Sequence, residues 1–328
     1  MGLESSKQCG RSGADFDKGL STISAGVRVP RCHRVGSERM RTGANLTRAI
    51  GPGGAKFPRG AFRRSACFVR LEITETMCRL LGVLTNDTMD FGLCLRRAPR
   101  SLAVLSSEHP DGWGIAAWEP QQGWLLRKRP ACAQRDVSFA TLAEETRGQV
   151  LVAHIRQRTV GAAILENTHP FRSGRWIFAH NGMIDDVAYL RSRISEERWV
   201  IIRGSTDSEL LFAFLLTCLD EEAAAADASD AGVDSVIDHA MDELARASSL
   251  GSYNFVLSDG ERLYAHRRGR SLYLLERQDE TGQITALVAS EAITDEPWHA
   301  LTDGSLVRCR RERRIRGQTL RPRSACRT

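Results

Sequence analysis

Regular apolar patterning along the chain starts near residue 79. RLLGVL at 79–84 is a short, continuous apolar run, which is typical of a buried strand. WGIAAW (113–118) and GWLLRK (123–128) flank a turn that contains Pro and Gly, and they predict a pair of strands. VLVAHI (150–155) and WIFAH (176–180) are rich in branched and aromatic residues and predict two further strands.

Helical periodicity dominates the middle of the patterned region. SFATLAEETR (138–147) has helical spacing, and SELLFAFLLTCL (208–219) predicts a mostly apolar, buried helix. DSVIDHAMDELARA (234–247) predicts an amphipathic helix. The acidic, alanine-rich segment EEAAAADASD (221–230) is interpreted as a connector between the last two helices.

Four strand candidates follow the helices. They are YNFVLSD, RLYAHR, SLYLLE and ITALVAS. An order of strands, then helices, then strands favours an α+β layered sandwich over alternating βαβ units.

The two ends of the chain differ from this patterned body in charge. Residues 1–76 carry 14 Lys and Arg against 6 Asp and Glu, and GPGG at 51–54 is a strong breaker of regular structure. Residues 308–328 carry 9 Arg and 1 Glu, whereas residues 77–307 carry 23 basic and 33 acidic residues. We therefore predict one domain at 77–307, a disordered, untranslated or cleaved extension at 1–76, and a basic, disordered tail at 308–328.

The overall net charge of +6 therefore does not describe the patterned region. No recognition motif or interleaved aromatic residues accompany the basic ends, so we expect no nucleic-acid partner. No apolar run approaches membrane-spanning length and no secretory signal pattern is present, so we expect a cytoplasmic protein without membrane contact. None of the nine cysteines has CxxC spacing, so neither a zinc site nor another metal site is expected.

Met77-Cys78 stands directly before the first predicted strand. Methionine followed by a small residue is normally removed during synthesis, so a translation start at Met77 would leave Cys78 as the N-terminal residue. A terminal α-amino group titrates near 7.7–8.0, so one residue could then supply both the nucleophile and its base. A buried structural cysteine is the alternative interpretation.

Two further motifs place polar residues at strand ends. EHPDGWGIAAW (108–118) leads through a Gly-Trp-Gly turn into a strand, which is also compatible with a simple hairpin entry. In VAHIRQRTVG (152–161) a strand ends on His154 and continues into two arginines. An arginine at a strand end suits bidentate binding of a carboxylate, and a solvated charge cluster is the alternative.

Asn-Gly follows the strand FAH in FAHNGMI, close in sequence to ENTHPF. Such a dipeptide usually marks a tight turn, but it can also direct a side-chain amide and a backbone N–H at one point, as an oxyanion hole requires. In GSTDSELL (204–211), Ser205 or Thr206 is a candidate helix cap, with Glu209 completing a capping box. Asp207 falls in the first helical turn, where it could instead bind a substrate ammonium.

Together and in this order, MCRLLG, HPDGWG, AHIRQRTVG, ENTHPF, AHNG and GSTDSE resemble the class II glutamine amidotransferases, which are N-terminal-nucleophile hydrolases. The likeness is greatest to the compact bacterial branch that carries only the glutaminase-type domain, and it covers residues 77–307. It implies a four-layer αββα sandwich, and no cofactor is expected.

At the matching positions, the resemblance implies a role for each of several residues. Cys78 would be the nucleophile, with its own α-amino group as the general base. Arg156 would bind the α-carboxylate of glutamine, and Asp207 would bind its α-ammonium. Asn181 and Gly182 would form the oxyanion hole.

Weaker expectations attach to three further residues. Thr159 and His169 lie in family motifs and are expected to shape the pocket, and Arg79 is a candidate for positioning the nucleophile. The implied reaction is hydrolysis of the side-chain amide of glutamine, or of a γ-glutamyl amide, through a γ-glutamyl thioester on Cys78. It would release ammonia or an amine.

Three alternatives remain open for the physiological role. The chain could be a glutaminase subunit that supplies ammonia to a separate synthase, which would then be its partner. It could be a γ-glutamyl hydrolase of thiol-histidine biosynthesis, which resembles this branch. It could also be a non-catalytic relative that binds glutamine or a γ-glutamyl compound.

Overall fold

The first strand, β1 (Arg79–Asp90), is buried on both faces. Leu81 and Val83 pack on one side, whereas Leu80 and Leu84 pack on the other, because successive side chains of a strand point to opposite faces. A strand with this burial has to lie inside a stack of more than two layers.

The computed structural model describes residues 77–159, 161–225, 230–247, 250–311 and 318–320. After β1, the strands are β2 (Gly112–Glu119), β3 (Gly123–Arg129), β4 (Arg147–Arg156), β5 (Phe171–Ser173), β6 (Trp176–Ile184), β7 (Gly251–Ser258), β8 (Arg262–His266), β9 (Tyr273–Gln278), β10 (Ile284–Ala289), β11 (His299–Ala300), β12 (Leu306–Arg310) and β13 (Gln318–Leu320). The α-helices are α1 (Leu102–Leu105), α2 (Val137–Glu145), α3 (Val187–Arg193), α4 (Glu196–Trp199), α5 (Asp207–Ala225) and α6 (Asp230–Arg246).

The described strands form two antiparallel sheets. The first has the order β11-β9-β10-β1-β4-β2-β3, and the second has the order β13-β12-β8-β7-β6-β5. Apolar side chains from β1 and β4 of the first sheet meet those from β6, β7 and β8 of the second in a central core. Gly82 lies in this core, and a Cβ there would stand 3.0 Å from a methyl group of Val256, so the sheets approach closely.

Helices cover the outer face of each sheet. On the first sheet, the Trp113 ring meets the edge of Phe139 from α2 at 5.1 Å. On the second sheet, Phe178 stacks on Phe212 from α5, with ring centroids 5.1 Å apart. The predicted four-layer αββα sandwich is therefore confirmed.

Two predicted boundaries are wrong. The segment interpreted as a connector at 221–230 is largely helical, since α5 continues to Ala225 and α6 begins at Asp230. Glutamate and alanine are strong helix formers, which explains the extension.

The predicted domain end at residue 307 falls inside β12. The predicted start of the basic tail at residue 308 is therefore too early, because the strand continues to Arg310. Cys309 is fully buried, and Arg308 and Arg310 form ion pairs with Asp238 and Asp234 of α6. The arginines of this strand are neutralised by the acidic face of a neighbouring helix, so their charge did not indicate disorder. The predicted extension at 1–76 lies outside the described residues. No helix in the described ranges combines the length and apolar content needed to span a membrane.

Candidate active site

Cys78 lies at the entrance to β1, next to the end of β4. Its Sγ donates to the carbonyl oxygen of Gln157 and accepts from the Gln157 N–H, both at 3.2 Å. The side chain is half-buried, and burial raises the pKa of this thiol to about 11. At neutral pH the thiol is therefore protonated, and it needs a neighbouring base to become a nucleophile.

Strand register places Arg156 beside this thiol. Arg79 pairs with Ile155 across β1 and β4, so Cys78 and Arg156 are adjacent on neighbouring strands. Arg156 is 4% exposed, and its Nη1 donates to the Ala162 carbonyl oxygen at 2.8 Å. Its positive charge acts on the Cys78 thiol and favours the thiolate. The exposed Arg158 instead lies in the loop that follows, where its backbone N–H bonds to Asp111.

Asn167, from the ENTHPF motif, holds the loop after β4, which contains the Ala162 carbonyl that Arg156 contacts. Its Nδ2 donates to the Ala162 carbonyl at 3.0 Å, and its Oδ1 accepts from the Ser205 N–H at 2.8 Å. The loop after β4 is thereby joined to the turn before α5. Sequence reasoning singled out this motif for its histidine and missed the asparagine. Thr159 is exposed in the same loop.

Asn181 and Gly182 lie on β6 in the second sheet. Asn181 is 4% exposed, and within the described part of the chain its Oδ1 has no hydrogen-bond partner. A Cβ at Gly182 would stand 2.1 Å from the Ser252 carbonyl oxygen on β7, so no larger residue fits this position. Asn181 is therefore an amide with uncommitted hydrogen-bonding capacity next to a strand position restricted to glycine.

At the start of α5, Glu209 forms its half of the capping box that the sequence predicts. Glu209 accepts from the N–H groups of Arg203, Gly204 and Thr206, and from the Thr206 hydroxyl. Asp207 is not needed for this capping box. Its Oδ2 accepts from the Ile184 N–H at 2.7 Å and its Oδ1 from the Ser208 N–H at 3.0 Å. Asp207 is half-buried, so its remaining lone pairs can still meet a ligand ammonium.

Three buried histidines lie between these two groups of residues. The rings of His154 and His169 are tilted against each other with centroids 4.4 Å apart. His180 Nδ1 and the Ser208 Oγ are 2.8 Å apart, which joins β6 to α5. Burial lowers the pKa of all three rings, that of His154 to about 3, so the cluster is uncharged near pH 7.

Close backbone packing holds this histidine cluster. A Cβ at Gly114 of β2 would stand 2.0 Å from the His169 carbonyl oxygen, so the ENTHPF segment crosses directly over the first sheet. His169 therefore belongs to the floor of the site, and His154 and His180 were missed as its partners. Their positions within AHIR and AHNG are the signal that could have indicated them.

Arg79 is part of an ion-pair group beside the nucleophile. Its Nε lies 2.6 Å from Glu291 Oε2, and Arg100 lies 2.5 Å from the other oxygen of the same carboxylate. The Arg79 Nη1 donates to the Met77 carbonyl oxygen at 2.7 Å. His109 is also buried nearby, and burial lowers its pKa. Neither Glu291 nor His109 was singled out from the sequence.

The tertiary structure thus brings Cys78 and Arg156 together on the first sheet, and Asn181, Gly182 and Asp207 together on the second sheet and α5. The histidine cluster joins the two groups. Within the described residues, no cluster of His, Cys, Asp or Glu could hold a metal ion. The arrangement places a thiol beside a cation, together with a carboxylate and a buried amide whose oxygen has no partner among the described residues.

Comparisons with known proteins agree with this description. A region of the Escherichia coli protein YafJ, a glutamine amidotransferase by name, is 31% identical over 64% of this chain and 80% of its own length. The γ-glutamyl-hercynylcysteine sulfoxide hydrolase of Mycobacterium tuberculosis is 29% identical over 70% of this chain and 92% of its own length.

A solved structure described as a glutamine amidotransferase from Pseudomonas aeruginosa superposes with a TM-score of 0.51. It is 26% identical and covers 73% of this chain and 99% of its own. The profile of the class II glutamine amidotransferases matches residues 77–285, beginning at the methionine before Cys78. Because this match spans more than half of the sequence, the chain belongs to the class II glutamine amidotransferases, a family of amidohydrolase enzymes.

Proposed function

We propose that this enzyme hydrolyses the side-chain amide of glutamine or a γ-glutamyl amide, with Cys78 as an N-terminal nucleophile. The observation that carries the proposal is the environment of Cys78. Its thiol lies beside Arg156 and accepts the Gln157 N–H, yet burial holds its pKa near 11. A thiol with this pKa requires an adjacent base, and removal of the preceding residues would provide one in its own α-amino group.

The first half of the reaction forms a thioester. The α-amine of Cys78 takes the Sγ proton, and the thiolate attacks the amide carbon of the substrate. The Asn181 amide and the Gly182 N–H stabilise the tetrahedral oxyanion. The protonated amine then gives its proton to the departing nitrogen, so that ammonia or an amine leaves and a γ-glutamyl thioester remains on Cys78.

The second half hydrolyses this thioester. The amine, again neutral, takes a proton from water, and the hydroxide attacks the thioester carbonyl. Collapse of the second tetrahedral intermediate returns the proton to Sγ and releases glutamate. Arg156 binds the α-carboxylate and Asp207 the α-ammonium throughout, which fixes the distance from the glutamyl backbone to the scissile amide. His169 and Thr159 shape this pocket.

We also propose that the active chain begins at Cys78, because translation starts at Met77 or because the preceding residues are removed. The family match begins at Met77, which supports this start. A reducing compartment such as the cytoplasm would keep Cys78 as the free thiol that the chemistry needs.

A chain beginning at Met77 tests the proposal. Intact mass should show that Met77 is removed, and the purified protein should release ammonia from glutamine or an amine from a γ-glutamyl conjugate. The same preparation with Cys78→Ala should retain the fold and lose both activities. A correctly trimmed, folded protein that hydrolyses neither class of substrate would refute the proposal.

The choice between glutamine and a conjugate is a second question. The likeness to the M. tuberculosis γ-glutamyl-hercynylcysteine sulfoxide hydrolase, over 92% of that protein, favours γ-glutamyl conjugates of a sulfur-containing amine. A glutaminase subunit would instead deliver ammonia to a synthase. Two measurements on one preparation separate these roles. A conjugate hydrolase should have the higher kcat/KM for γ-glutamylcysteine, and a glutaminase subunit should have the higher kcat/KM for glutamine. Stimulation of glutamine hydrolysis by a co-purifying protein is expected only for the glutaminase subunit.

A further inference from the structure

Arg79 faces the position of the proposed base. Its Nη1 donates to the Met77 carbonyl oxygen at 2.7 Å and also points to the Cys78 carbonyl oxygen at 3.5 Å. A carbonyl oxygen lies about 2.2 Å from the nitrogen of the next residue. The guanidinium nitrogen therefore lies within about 5 Å of the Cys78 nitrogen, which becomes the α-amine when Met77 is removed.

Glu291 holds the guanidinium in this place. The ion pair between Arg79 and Glu291 is short, and the two side chains are only 14% and 16% exposed, so water screens their charges weakly. Glu291 follows Ser290, whose N–H donates to the Leu80 carbonyl at 3.0 Å and whose Oγ accepts from the Leu80 N–H at 3.1 Å. Glu291, which anchors Arg79, is thus fixed to β1, the strand that Cys78 directly precedes.

The other charged groups near Cys78 do not cancel the positive charge of Arg79 beside the Cys78 nitrogen. Arg156 of β4 adds a second positive charge near the thiol, and Asp111, before β2, acts mainly on Arg156. Glu291 is shared between two arginines, one of which is Arg79. Burial lowers the pKa of His109, so this ring adds no charge near pH 7. Arg79 is the cation beside the main chain of Cys78, and its 3.5 Å contact with the Cys78 carbonyl oxygen does not involve Met77.

We propose that the Arg79 guanidinium, held by Glu291, keeps the α-amino group of Cys78 neutral at pH 7 and therefore able to take the thiol proton. The proposal rests on the proposed function, in which Cys78 is N-terminal. An α-amine without neighbours is mostly protonated at pH 7, because it titrates at 7.7–8.0. A positive charge within 4–6 Å disfavours the protonated form. Arg79 would act through the amine, as a positioning residue, without touching the substrate.

The pH profile of kcat/KM tests this role, because its acid limb reports the base of the free enzyme. Arg79→Gln should move the acid limb up by about one pH unit. Arg79→Lys should leave the limb near its original position, because the charge is kept. Arg100→Gln is the matched control, since it removes the other arginine on Glu291, which is 58% exposed. An unmoved limb in Arg79→Gln, or an equal shift in Arg100→Gln, overturns the proposal.

Titration of the amine itself gives a readout that does not depend on turnover. In a chain that begins at residue 78 and carries Cys78→Ser, acetylation of the terminal amine by acetic anhydride can be followed against pH by mass spectrometry. The midpoint should lie below 7.7–8.0 and should rise when Arg79→Gln is added. A midpoint within or above that range in the folded parent overturns the proposal, even if Arg79→Gln fails to fold. If the acetylation midpoint is low while the same chain with Cys78 intact hydrolyses no substrate, that result would support the effect of Arg79 on the amine and would refute the proposed function.

Discussion

The nucleophile half of the site (Cys78, Arg156 and Gln157) and the oxyanion half (Asn181, Gly182 and Asp207) hold their groups differently. In the nucleophile half, the register of β1 and β4 places the thiol against the backbone of Gln157 and beside Arg156. In the oxyanion half, Asp207 accepts two N–H groups at the first turn of α5, which Glu209 caps.

This difference predicts different effects of substitutions on reaction rate and on stability in the two halves. In the nucleophile half, a side chain can change without removing many hydrogen bonds of the fold, so substitutions there should alter rate more than stability. In the oxyanion half, the capping network around α5 supports both the local fold and Asp207, the carboxylate proposed to bind the substrate ammonium. Substitutions in that network should therefore lower stability together with activity.

The largest effect is expected at the N-terminus of the nucleophile half. One uncleavable residue before Cys78 should abolish hydrolysis, because the α-amine that serves as the base becomes a non-basic amide. Cys78→Ala should lower turnover by more than about a thousandfold, and Cys78→Ser should leave a small residual rate. Thermal melting should be unchanged in each, and Cys218→Ala is the control cysteine. A full-length protein retaining Met1 that matches the shortened form in rate would contradict the mechanism.

Asn181→Ala tests the oxyanion half directly. Turnover should fall by about a hundred- to a thousandfold, the usual result of losing one oxyanion donor. Because the Asn181 Oδ1 has no partner among the described residues, the melting temperature should change little. Turnover within about threefold of wild type would remove Asn181 from the site.

Glu209→Ala should destabilise the oxyanion half, because Glu209 accepts several hydrogen bonds at the start of α5. It removes the acceptor for several N–H groups and a hydroxyl, and Glu209 is only 3% exposed. The free energy of unfolding should fall by about 2–4 kcal/mol, since a cap is lost and buried donors are left unpaired. Denaturant unfolding measures this, with the exposed Glu166→Ala as the control. Equal stability of the two variants would show that the capping network does not support α5.

Arg156→Lys should weaken substrate binding although the charge is kept. Lysine lacks the two-pronged contact of a guanidinium with a carboxylate, so KM should rise by about tenfold. Arg158→Lys, two residues along on the exposed loop, is the matched control and should be silent. If the two effects are reversed, Arg158 and not Arg156 binds the carboxylate.

The last prediction concerns the histidine cluster that joins the halves, whose effect depends on pH. The folded pKa of His154 is about 3, below the unfolded value near 6.5, so its contribution to stability is full above pH 6.5 and is lost as the pH falls toward 3. Each pH unit below 6.5 should cost about 1.4 kcal/mol per such histidine. His154→Gln should therefore show a flatter fall in melting temperature between pH 6.5 and 4.5, whereas the exposed His299→Gln should follow wild type. Parallel curves for all three proteins would contradict the cluster's role.

Local sequence signals predicted several features well. The continuous apolar run of Leu80, Leu81, Val83 and Leu84 indicated a buried strand, and the structure places that strand in the centre of a four-layer sandwich. The Thr206–Glu209 spacing predicted a capping box, and the structure shows its Glu209 half, in which the Glu209 carboxylate accepts from the Thr206 N–H. These signals succeed because they depend on interactions over a few residues.

The predictions that failed concern residues whose contacts lie far away in the sequence. The arginines of 308–310 were interpreted as a disordered tail, yet they pair with acidic residues of α6 that lie some seventy positions earlier in the chain. Glu291 was missed because it belongs to no pattern that is visible in its own segment, and His109 lies in the HPDGWG motif but was given no role there. Only long-range packing brings them to Cys78.

The sequence by itself determined the strand–helix–strand order, the capped start of α5 and the residue types that the family chemistry needs. It also placed Cys78 directly after a methionine. The tertiary structure decided which of these residues meet, because antiparallel register puts Cys78 beside Arg156, and the packing of two sheets brings His154, His169 and His180 together. The physical reason is that register and sheet packing depend on contacts between segments far apart in the chain, which no local pattern encodes.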